Sequence, residues 1–221
     1  MIFCNYSSSG FQSSRLPWRD LICILGTISL NATIDVSTQW GREARSGPGV
    51  QGWRSMKIEH KKNAPRKIKL GIISVSSTRS LEDDKSGLWI NNRALKEGHI
   101  VVFHYIIQDE IQAITEKIID VIRDHGPQVI LMTGGTGISS KDVTIEAVVP
   151  LFEKELTAFG PLFAQLSFEK IDSAALLSRA TAGIINKTIL FCLPGSLKAC
   201  KLACKHIIFP ELGHLVKHAQ E

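Results

Sequence analysis

The sequence predicts an α/β protein, a three-layer sandwich in which a mostly parallel sheet carries helices on both faces. Two observations predict this fold class. Short apolar, β-branched runs alternate with helical segments along residues 68–221, and such alternation is typical of βα units. The strand runs are also almost entirely apolar, as expected for parallel strands that helices cover on both sides.

The strands are predicted from their apolar, β-branched composition. They lie at Ile68–Ser76, His99–Ile107, Gln128–Thr133 and Thr188–Leu193.

Helices are predicted between and after these strands from capping residues and periodicity. Asp84 begins the first helix and Gly98 ends it, while Gly126–Pro127 stops the second. The predicted helices are Asp84–Gly98, Glu110–His125, Lys141–Leu156, Leu162–Glu169, Ser173–Ala182 and Ser196–Lys217, the last with a break at Pro210.

Composition excludes several classes of protein. Of 221 residues, 44% are hydrophobic and 21% are charged, which is enough to bury a core and excludes a wholly disordered or fibrous chain. No apolar run reaches the roughly 18 residues of a membrane span.

The net charge of +5 is concentrated in residues 1–67, which hold 10 Lys/Arg against 4 Asp/Glu, whereas residues 68–221 hold 16 Lys/Arg against 17 Asp/Glu. A nearly neutral body predicts no nucleic-acid partner.

The chain divides into an N-terminal extension, residues 1–67, and a functional domain, residues 68–221. The extension is rich in Ser, Gly and Arg and shows no sustained periodicity, so it is expected to be poorly ordered or to arise from a misassigned start, with Met56 as a natural alternative. Its apolar run Leu21–Leu30 also resembles a secretory signal. We favour a cytoplasmic protein, because the cysteines of the body lie in apolar or helical surroundings, as expected of small buried side chains in a reducing compartment.

Polar and glycine-rich segments follow the predicted strands, at the edge of the sheet where α/β proteins bind ligands. Ser74 and Ser76 close the first strand, and Asp109 follows the second. The third strand ends in Thr133, Gly134, Gly135, Thr136 and Gly137, followed by Asp142, and the fourth ends in Pro194, Gly195 and Ser196.

Both glycine-bearing turns have two interpretations. The Gly134–Gly137 loop joins a strand to a helix, where glycines let a backbone approach a phosphate and free N–H groups favour it. The same glycines could serve turn geometry alone, and Ser196 could serve only as a helix N-cap.

Asp109 and Asp142 also have two interpretations. Asp109 directly precedes one predicted helix and Asp142 lies at the start of another, so each could be only an acid that stabilises a helix N-terminus. Capping does not explain why both lie at the edge that carries the glycine loops. Two carboxylates beside a phosphate loop are what Mg²⁺ requires, and the sequence slightly favours this metal interpretation.

Segments of the body resemble the MogA and MoaB family of molybdenum-cofactor biosynthesis proteins. The resemblance covers about residues 68–221. It is carried by DDKSG at Asp83–Gly87, EGH at Glu97–His99, TGGTGISSKDVTIEA at Thr133–Ala147, LSFEKI at Leu166–Ile171, LLSRATAGI at Leu176–Ile184, NKTILFCLPGS at Asn186–Ser196 and PELGHL at Pro210–Leu215. LSFEKI and the NKTILFCLPGS segment are more similar to the MoaB branch.

The resemblance implies an activity and a set of site residues. It implies adenylyl transfer from Mg-ATP to the terminal phosphate of molybdopterin, in the biosynthesis of a molybdenum or tungsten cofactor. Asp109 and Asp142 match the two aspartates that serve Mg²⁺ and the nucleotide, and they are the expected catalytic and metal-binding residues. The expected substrate-binding residues are Ser74, Ser76, Thr133, Gly134, Gly135, Thr136, Gly137, Ser178, Pro194, Gly195 and Ser196.

The resemblance also implies partners and one rival function. Family members assemble as trimers or as hexamers, and a MoeA-like enzyme inserts the metal in the following step. A catalytically silent molybdopterin carrier of MoaB type is the alternative function. The chain departs from the family pattern at Lys141, Ile145 and Asp172, where Arg, Pro and Gly are usual. Lys141 retains the positive charge but not the bidentate fork of arginine.

Overall fold

The computed structural model describes residues 64–221, and the expected N-terminal extension lies almost wholly outside them. Six strands form one sheet: β1 Lys69–Val75, β2 Ile100–Ile107, β3 Val129–Thr133, β4 Lys154–Glu155, β5 Thr181–Ile185 and β6 Thr188–Leu193. The α-helices are α1 Lys85–Lys96, α2 Ile111–His125, α3 Thr144–Val148, α4 Phe159–Ile171, α5 Leu197–Ala203 and α6 Phe209–Gln220. A π-helical segment, Cys204–Ile208, connects α5 to α6, and 3₁₀ turns lie at Val149–Leu151 and Asp172–Leu177.

The strands are arranged in the order β2-β1-β3-β6-β5-β4. The β2, β1, β3 and β6 strands pair in parallel, whereas β5 and β4 are antiparallel additions at one edge. Because β1, β3 and β6 are adjacent and parallel, the loops after all three emerge at one edge of the sheet. This arrangement confirms the predicted α/β class with a mostly parallel sheet.

Alternation along the strands builds two cores, one on each face of the sheet. Leu70 and Ile72 of β1 point into a core that includes residues of α1, α4, α5 and α6. Ile73 and Val75 point into the opposite core, which includes residues of α2 and α3. The sheet is therefore covered on both faces, as a three-layer sandwich requires.

Two residues that the sequence predicts as helix boundaries lie at helix boundaries in the structure. The Asp84 side chain accepts a hydrogen bond from the Gly87 N–H and caps α1. Gly126 adopts a left-handed conformation, with φ of 53°, at the end of α2.

The predicted helix Lys141–Leu156 is wrong. Only Thr144–Val148 is α-helical, and a 3₁₀ turn containing Pro150 and the short strand β4 follow it. The Thr144 hydroxyl donates to the Gly134 carbonyl over 2.9 Å, which ties the start of α3 to the loop after β3. Farther along, Lys154 and Glu155 pair with Ile184 and Gly183 of β5, so helical composition is overridden here by contacts with a segment that is distant in the sequence.

The predicted helix Ser173–Ala182 is also wrong, and Pro210 is not a break. The 3₁₀ turn Asp172–Leu177 leads into β5, which pairs with β6. Asp172 has a positive φ of 49° directly after α4. The irregularity near the C-terminus precedes Pro210 as the π-helical segment, and Pro210 lies in the first turn of α6, where proline is tolerated.

Within residues 64–221, no helix combines the length and the apolar character needed to cross a membrane.

Candidate active site

The loops after β1, β3 and β6 surround a cavity of about 570 Å³. Asp109, which follows β2, also lines it. The lining residues are Val75, Ser76, Ser77, Thr78, Arg79, Asp109, Gly134, Gly135, Thr136, Gly137, Lys141, Asp142, Leu177, Ser178, Pro194, Gly195 and Ser196. The structure thus brings together every site residue expected from the sequence except Ser74 and Thr133.

Ser74 and Thr133 lie beneath the cavity. The Ser74 hydroxyl donates to the carboxylate of Asp84. The Thr133 hydroxyl donates to the Pro194 carbonyl over 3.2 Å and contacts the Cys200 sulfur at the same distance. Both side chains are buried and already have partners, so they support the loops above them and do not face the cavity.

The glycine loop after β3 packs closely against neighbouring residues, and two of its glycines have positive φ angles. Gly134 has φ of 101° and Gly135 has φ of 63°, a region that favours glycine. A Cβ on Gly134 would collide with the Val75 carbonyl, and one on Gly135 would collide with the Asp109 carboxylate and the Thr144 hydroxyl. The glycines therefore allow the loop to pack directly against one of the two acids.

Arg179 holds this loop in place. Its Nε donates to the carbonyl oxygens of Thr136 and Gly137, each over 3.0 Å. Its terminal nitrogens form a two-pronged ion pair with the Glu146 carboxylate of α3, with the shorter bond at 2.6 Å. The hydrogen bond and charge of Arg179 lower the pKa of Glu146. Arg179 thus connects the glycine loop to α3.

Asp109 does not cap a helix. The N-cap of α2 is Glu110, and no side chain caps that helix end. Within the described residues, Asp109 Oδ1 is buried and has no hydrogen-bond partner. Burial and the nearby charge of Asp142 raise the pKa of Asp109, against the opposing effect of the Val143 N–H. The unpartnered oxygen and the raised pKa show that the protein leaves this side of the Asp109 carboxyl without a donor, which a proton or a cation would satisfy.

Asp142 does not cap a helix either. The α3 helix starts at Thr144, and its N-cap Val143 makes no side-chain bond. Asp142 Oδ2 instead accepts the Ser139 N–H over 3.0 Å, which closes the turn between the glycine loop and α3. A Cβ on Gly137 would lie 2.8 Å from the same oxygen, so the glycine loop also packs closely against Asp142.

The residues present fit Mg²⁺ better than a metal that needs a full protein cage. Mg²⁺ is usually held by one or two carboxylates plus phosphate oxygens and water, and Asp109 with Asp142 supplies such a pair. Among residues 64–221, no group of three or more His, Cys, Asp or Glu side chains is placed to hold a metal. The donor set is thus suited to an ion that arrives with a phosphate substrate.

Several residues around the site were missed from the sequence. Arg79 lines the cavity in the segment after β1 and brings a positive charge. Beneath the cavity, the buried Asp84 accepts hydrogen bonds from Ser74 and from His104, whose Nε2 lies 2.9 Å away. The position of Arg79 just beyond a strand end was the available signal, whereas the pairing with His104 is a tertiary contact between α1 and β2.

Residues 71–214 match a family model described as "Probable molybdopterin binding domain". This match extends over more than half of the chain and includes the whole glycine loop, both acids and the Pro194–Ser196 turn. The chain belongs to this molybdopterin-binding family. The resemblance read from its motifs is therefore confirmed.

Relatives of this family member include molybdenum cofactor biosynthesis protein B of Bacillus subtilis. The two sequences are 44% identical over 164 residues, which cover 74% of this chain and 96% of the relative. A crystal structure of a molybdenum cofactor biosynthesis protein B is 39% identical, covers 71% of this chain and 98% of its own, and has a TM-score of 0.69. A second crystal structure is that of the tungsten cofactor synthesizing protein MoaB from Pyrococcus furiosus. Its sequence is 40% identical, the match covers 72% of this chain and 100% of the MoaB chain, and the TM-score is 0.65.

Proposed function

We propose that this family member transfers the adenylyl group of ATP to the terminal phosphate of molybdopterin. An oxygen of the pterin phosphate forms a bond to the α-phosphorus of ATP. The bond between that phosphorus and the oxygen bridging to the β-phosphate breaks, and pyrophosphate leaves with the electron pair. The products are adenylyl-molybdopterin and pyrophosphate.

The observation that carries the proposal is the buried, unpartnered Oδ1 of Asp109 beside Asp142 on a cavity with a glycine loop. A buried carboxylate oxygen without a protein donor is costly unless a proton or a cation partners it, and a magnesium ion that arrives with the nucleotide would be such a partner. The pair therefore supports binding of a magnesium–nucleotide complex.

The residues of the chain supply positioning and charge. Phosphoryl-type transfer needs mainly alignment of the reacting groups and neutralisation of phosphate charge, so it needs no nucleophilic side chain. Arg79 and Lys141 provide positive charge at the cavity, and the glycines let phosphate oxygens approach the backbone. Asp109 and Asp142 would hold Mg²⁺, which when bound neutralises phosphate charge and orients its oxygens.

The proposed reaction also implies a following enzymatic step, a cellular compartment and an oligomeric state. An activated adenylyl-pterin must be consumed by a step that installs the metal, which a MoeA-like enzyme would catalyse. We place the reaction in the cytoplasm and expect the enzyme to assemble as a trimer or hexamer.

Mass spectrometry of the products tests the proposal. Protein, molybdopterin, ATP and magnesium are mixed, and the pterin fraction is analysed for the mass of the adenylyl adduct together with released pyrophosphate. We expect both products, and neither when magnesium is replaced by a chelator. Tight molybdopterin binding with no ATP consumption would instead identify a carrier.

A further inference from the structure

Two histidines on α6 lie outside the candidate active site and face away from the core. Leu212 and Val216 of α6 are buried in the core. His214 and His218 each follow one of these residues by two positions, which places them about 200° round the helix. Neither histidine lines the active-site cavity. Histidines four residues apart share one face of a helix, where they can bind one metal ion together.

The two imidazole rings meet through the same ring nitrogen. His214 Nε2 lies 3.1 Å from His218 Nε2, and the ring centres are 4.8 Å apart. Zinc binds imidazole nitrogen at about 2.0–2.1 Å, so two nitrogens at this separation would subtend an angle of about 100° at one ion. That angle lies between the octahedral and tetrahedral values, so the pair is spaced for adjacent coordination positions of a single ion.

Each histidine also has a carboxylate at its other ring nitrogen. His218 Nδ1 lies 3.1 Å from Glu221 Oε2. His214 Nδ1 lies 3.5 Å from Glu211 Oε2. The four side chains therefore form a row in the order carboxylate, imidazole, imidazole, carboxylate. Carboxylates in this position hold the Nδ1–H of a metal-binding histidine and leave the Nε2 lone pair for the ion.

The number of protons in this row is too small for its contacts. The row contains three polar contacts, two between a ring nitrogen and a carboxylate and one between the Nε2 atoms. A neutral imidazole carries one N–H, so the two rings supply two protons for three contacts. When both Nδ1–H groups face the carboxylates, two lone pairs face each other across 3.1 Å. A cation between the Nε2 atoms completes all three contacts.

We propose that His214 and His218 bind a divalent transition-metal ion through their Nε2 atoms, with Zn²⁺ as the expected ion. Imidazole nitrogen suits Zn²⁺, whereas Mg²⁺ prefers oxygen ligands. This site and the pair Asp109 and Asp142 therefore take chemically different ions. Water completes the coordination of the ion, as it does in zinc sites with open positions. Because metal binding couples to folding, the ion stabilises the C-terminal turns of α6.

A proton shared by the two rings is the rival occupant. It would also complete the three contacts, but it brings a single positive charge to a row that ends in two carboxylates. A divalent ion balances both carboxylates, so the charge of the row favours the metal. Zinc binding distinguishes the two occupants directly.

Calorimetric titration of the full chain with zinc chloride tests the site. The pH is slightly alkaline, since histidine binds metal only when it is neutral, and excess Mg²⁺ is present to occupy oxygen ligands. His214→Gln and His218→Gln each remove one proposed ligand. His206→Gln is the matched control, because His206 is also an exposed histidine on a helical segment but does not belong to the row.

We expect the wild type and the control to bind one zinc ion per chain with an affinity that falls at least about tenfold in each ligand variant. Loss of a second-shell partner alone commonly costs that much, and loss of a ligand should cost no less. Wild-type zinc affinity in either ligand variant, or an equal loss in His206→Gln, would overturn the proposal. Absence of saturable zinc binding to the wild type would overturn it too and leave the proton as the shared cation.

The zinc site and the proposed reaction can fail separately. Asp142→Asn removes an oxygen ligand of the proposed Mg²⁺ site and keeps both histidines, so it should bind zinc as the wild type does. Loss of the zinc ion in Asp142→Asn would assign that ion to the acids and overturn the histidine site. A wild-type protein that forms no adenylyl-pterin but binds zinc through His214 and His218 would refute the reaction and retain the site.

Discussion

The negative charge of Asp142 adds to burial in raising the pKa of the Asp109 carboxyl. Asp109 follows β2 and Asp142 closes the loop after β3, so the sheet brings together two acids from different βα units. Neither acid caps a helix. Like charges placed together cost stability unless a proton or a cation relieves them, and this cost is the physical basis of the proposed Mg²⁺ site.

Replacing either acid by its amide should abolish transfer and spare pterin binding. Asp109→Asn and Asp142→Asn each remove a negative ligand without changing the shape of the side chain. We expect the rate of adenylyl-pterin formation to fall by about a hundredfold or more, with the dissociation constant of molybdopterin largely unchanged. If both single variants turn over at the wild-type rate, the acids have no role in the reaction.

Gly135→Ala should damage both stability and activity. The new Cβ would be strained at a positive φ and would collide with the Asp109 carboxylate and the Thr144 hydroxyl, which together should cost about 1–3 kcal/mol of unfolding free energy. Gly126→Ala is the matched control, because Gly126 also has a positive φ but has open space around its Cβ position. The control should lose only about 1 kcal/mol and keep full activity in the mass-spectrometric assay. Equal activity in the two variants would show that the loop tolerates displacement.

Arg179→Lys should slow the reaction, although the charge is conserved. Lysine cannot reproduce the planar fork that binds Glu146 while Nε donates to the carbonyl oxygens of Thr136 and Gly137. We expect a lower kcat, since the glycine loop loses its anchor. Arg123→Lys is the control, because Arg123 forms only exposed ion pairs with Asp120 and Asp124 on α2, and it should leave kcat unchanged.

Asp84→Asn should produce a loss of stability that depends on pH. Burial alone would raise the pKa of Asp84, but hydrogen bonds from His104, Ser74 and the Gly87 N–H outweigh it and lower the pKa to about 2. A carboxyl with a lowered pKa stabilises the fold above its ordinary pKa, and this contribution is lost as the pH falls from about 4 towards 2. The variant should therefore lose about 2 kcal/mol of unfolding free energy at neutral pH.

Denaturant unfolding of wild type and Asp84→Asn across this pH range measures the effect. The difference between the two proteins should shrink as the pH falls. A difference that does not change with pH would show that Asp84 contributes through packing rather than through charge.

The elements that the sequence predicts well are those with an unambiguous local pattern. The apolar run Thr188–Leu193 coincides with β6, and the stripe of α2 ends at Gly126 as expected. The predicted helix Leu162–Glu169 lies within α4, but the segments 141–156 and 173–182 on either side of α4 were predicted poorly because long-range contacts decide their structure. Gly183 of β5, for example, is needed where the strand passes against the Phe152 ring, which a Cβ would strike, and no local pattern reveals that approach.

In the candidate site too, residues with a local sequence pattern were predicted and those placed by tertiary contacts were not. The glycine loop, the two acids and the Pro194–Ser196 turn were identified because each follows a strand, and parallel strands place such segments at one edge. The role of Arg179 was not identified, since it depends on the guanidinium reaching a loop that precedes it by some forty residues. The burial of Ser74 and Thr133 depends on hydrogen bonds to Asp84 and to Pro194, which sequence spacing does not encode.

The central claim is that Asp109 and Asp142 together hold one divalent ion, and a count of bound divalent ions tests it most directly. Mn²⁺, which substitutes for Mg²⁺ and is visible by electron paramagnetic resonance, is titrated into the protein with a non-hydrolysable ATP analogue. The shared-ion account predicts one tightly bound Mn²⁺ per chain in the wild type, and an affinity at least about tenfold weaker in both Asp109→Asn and Asp142→Asn. Wild-type Mn²⁺ affinity in either variant would contradict the account.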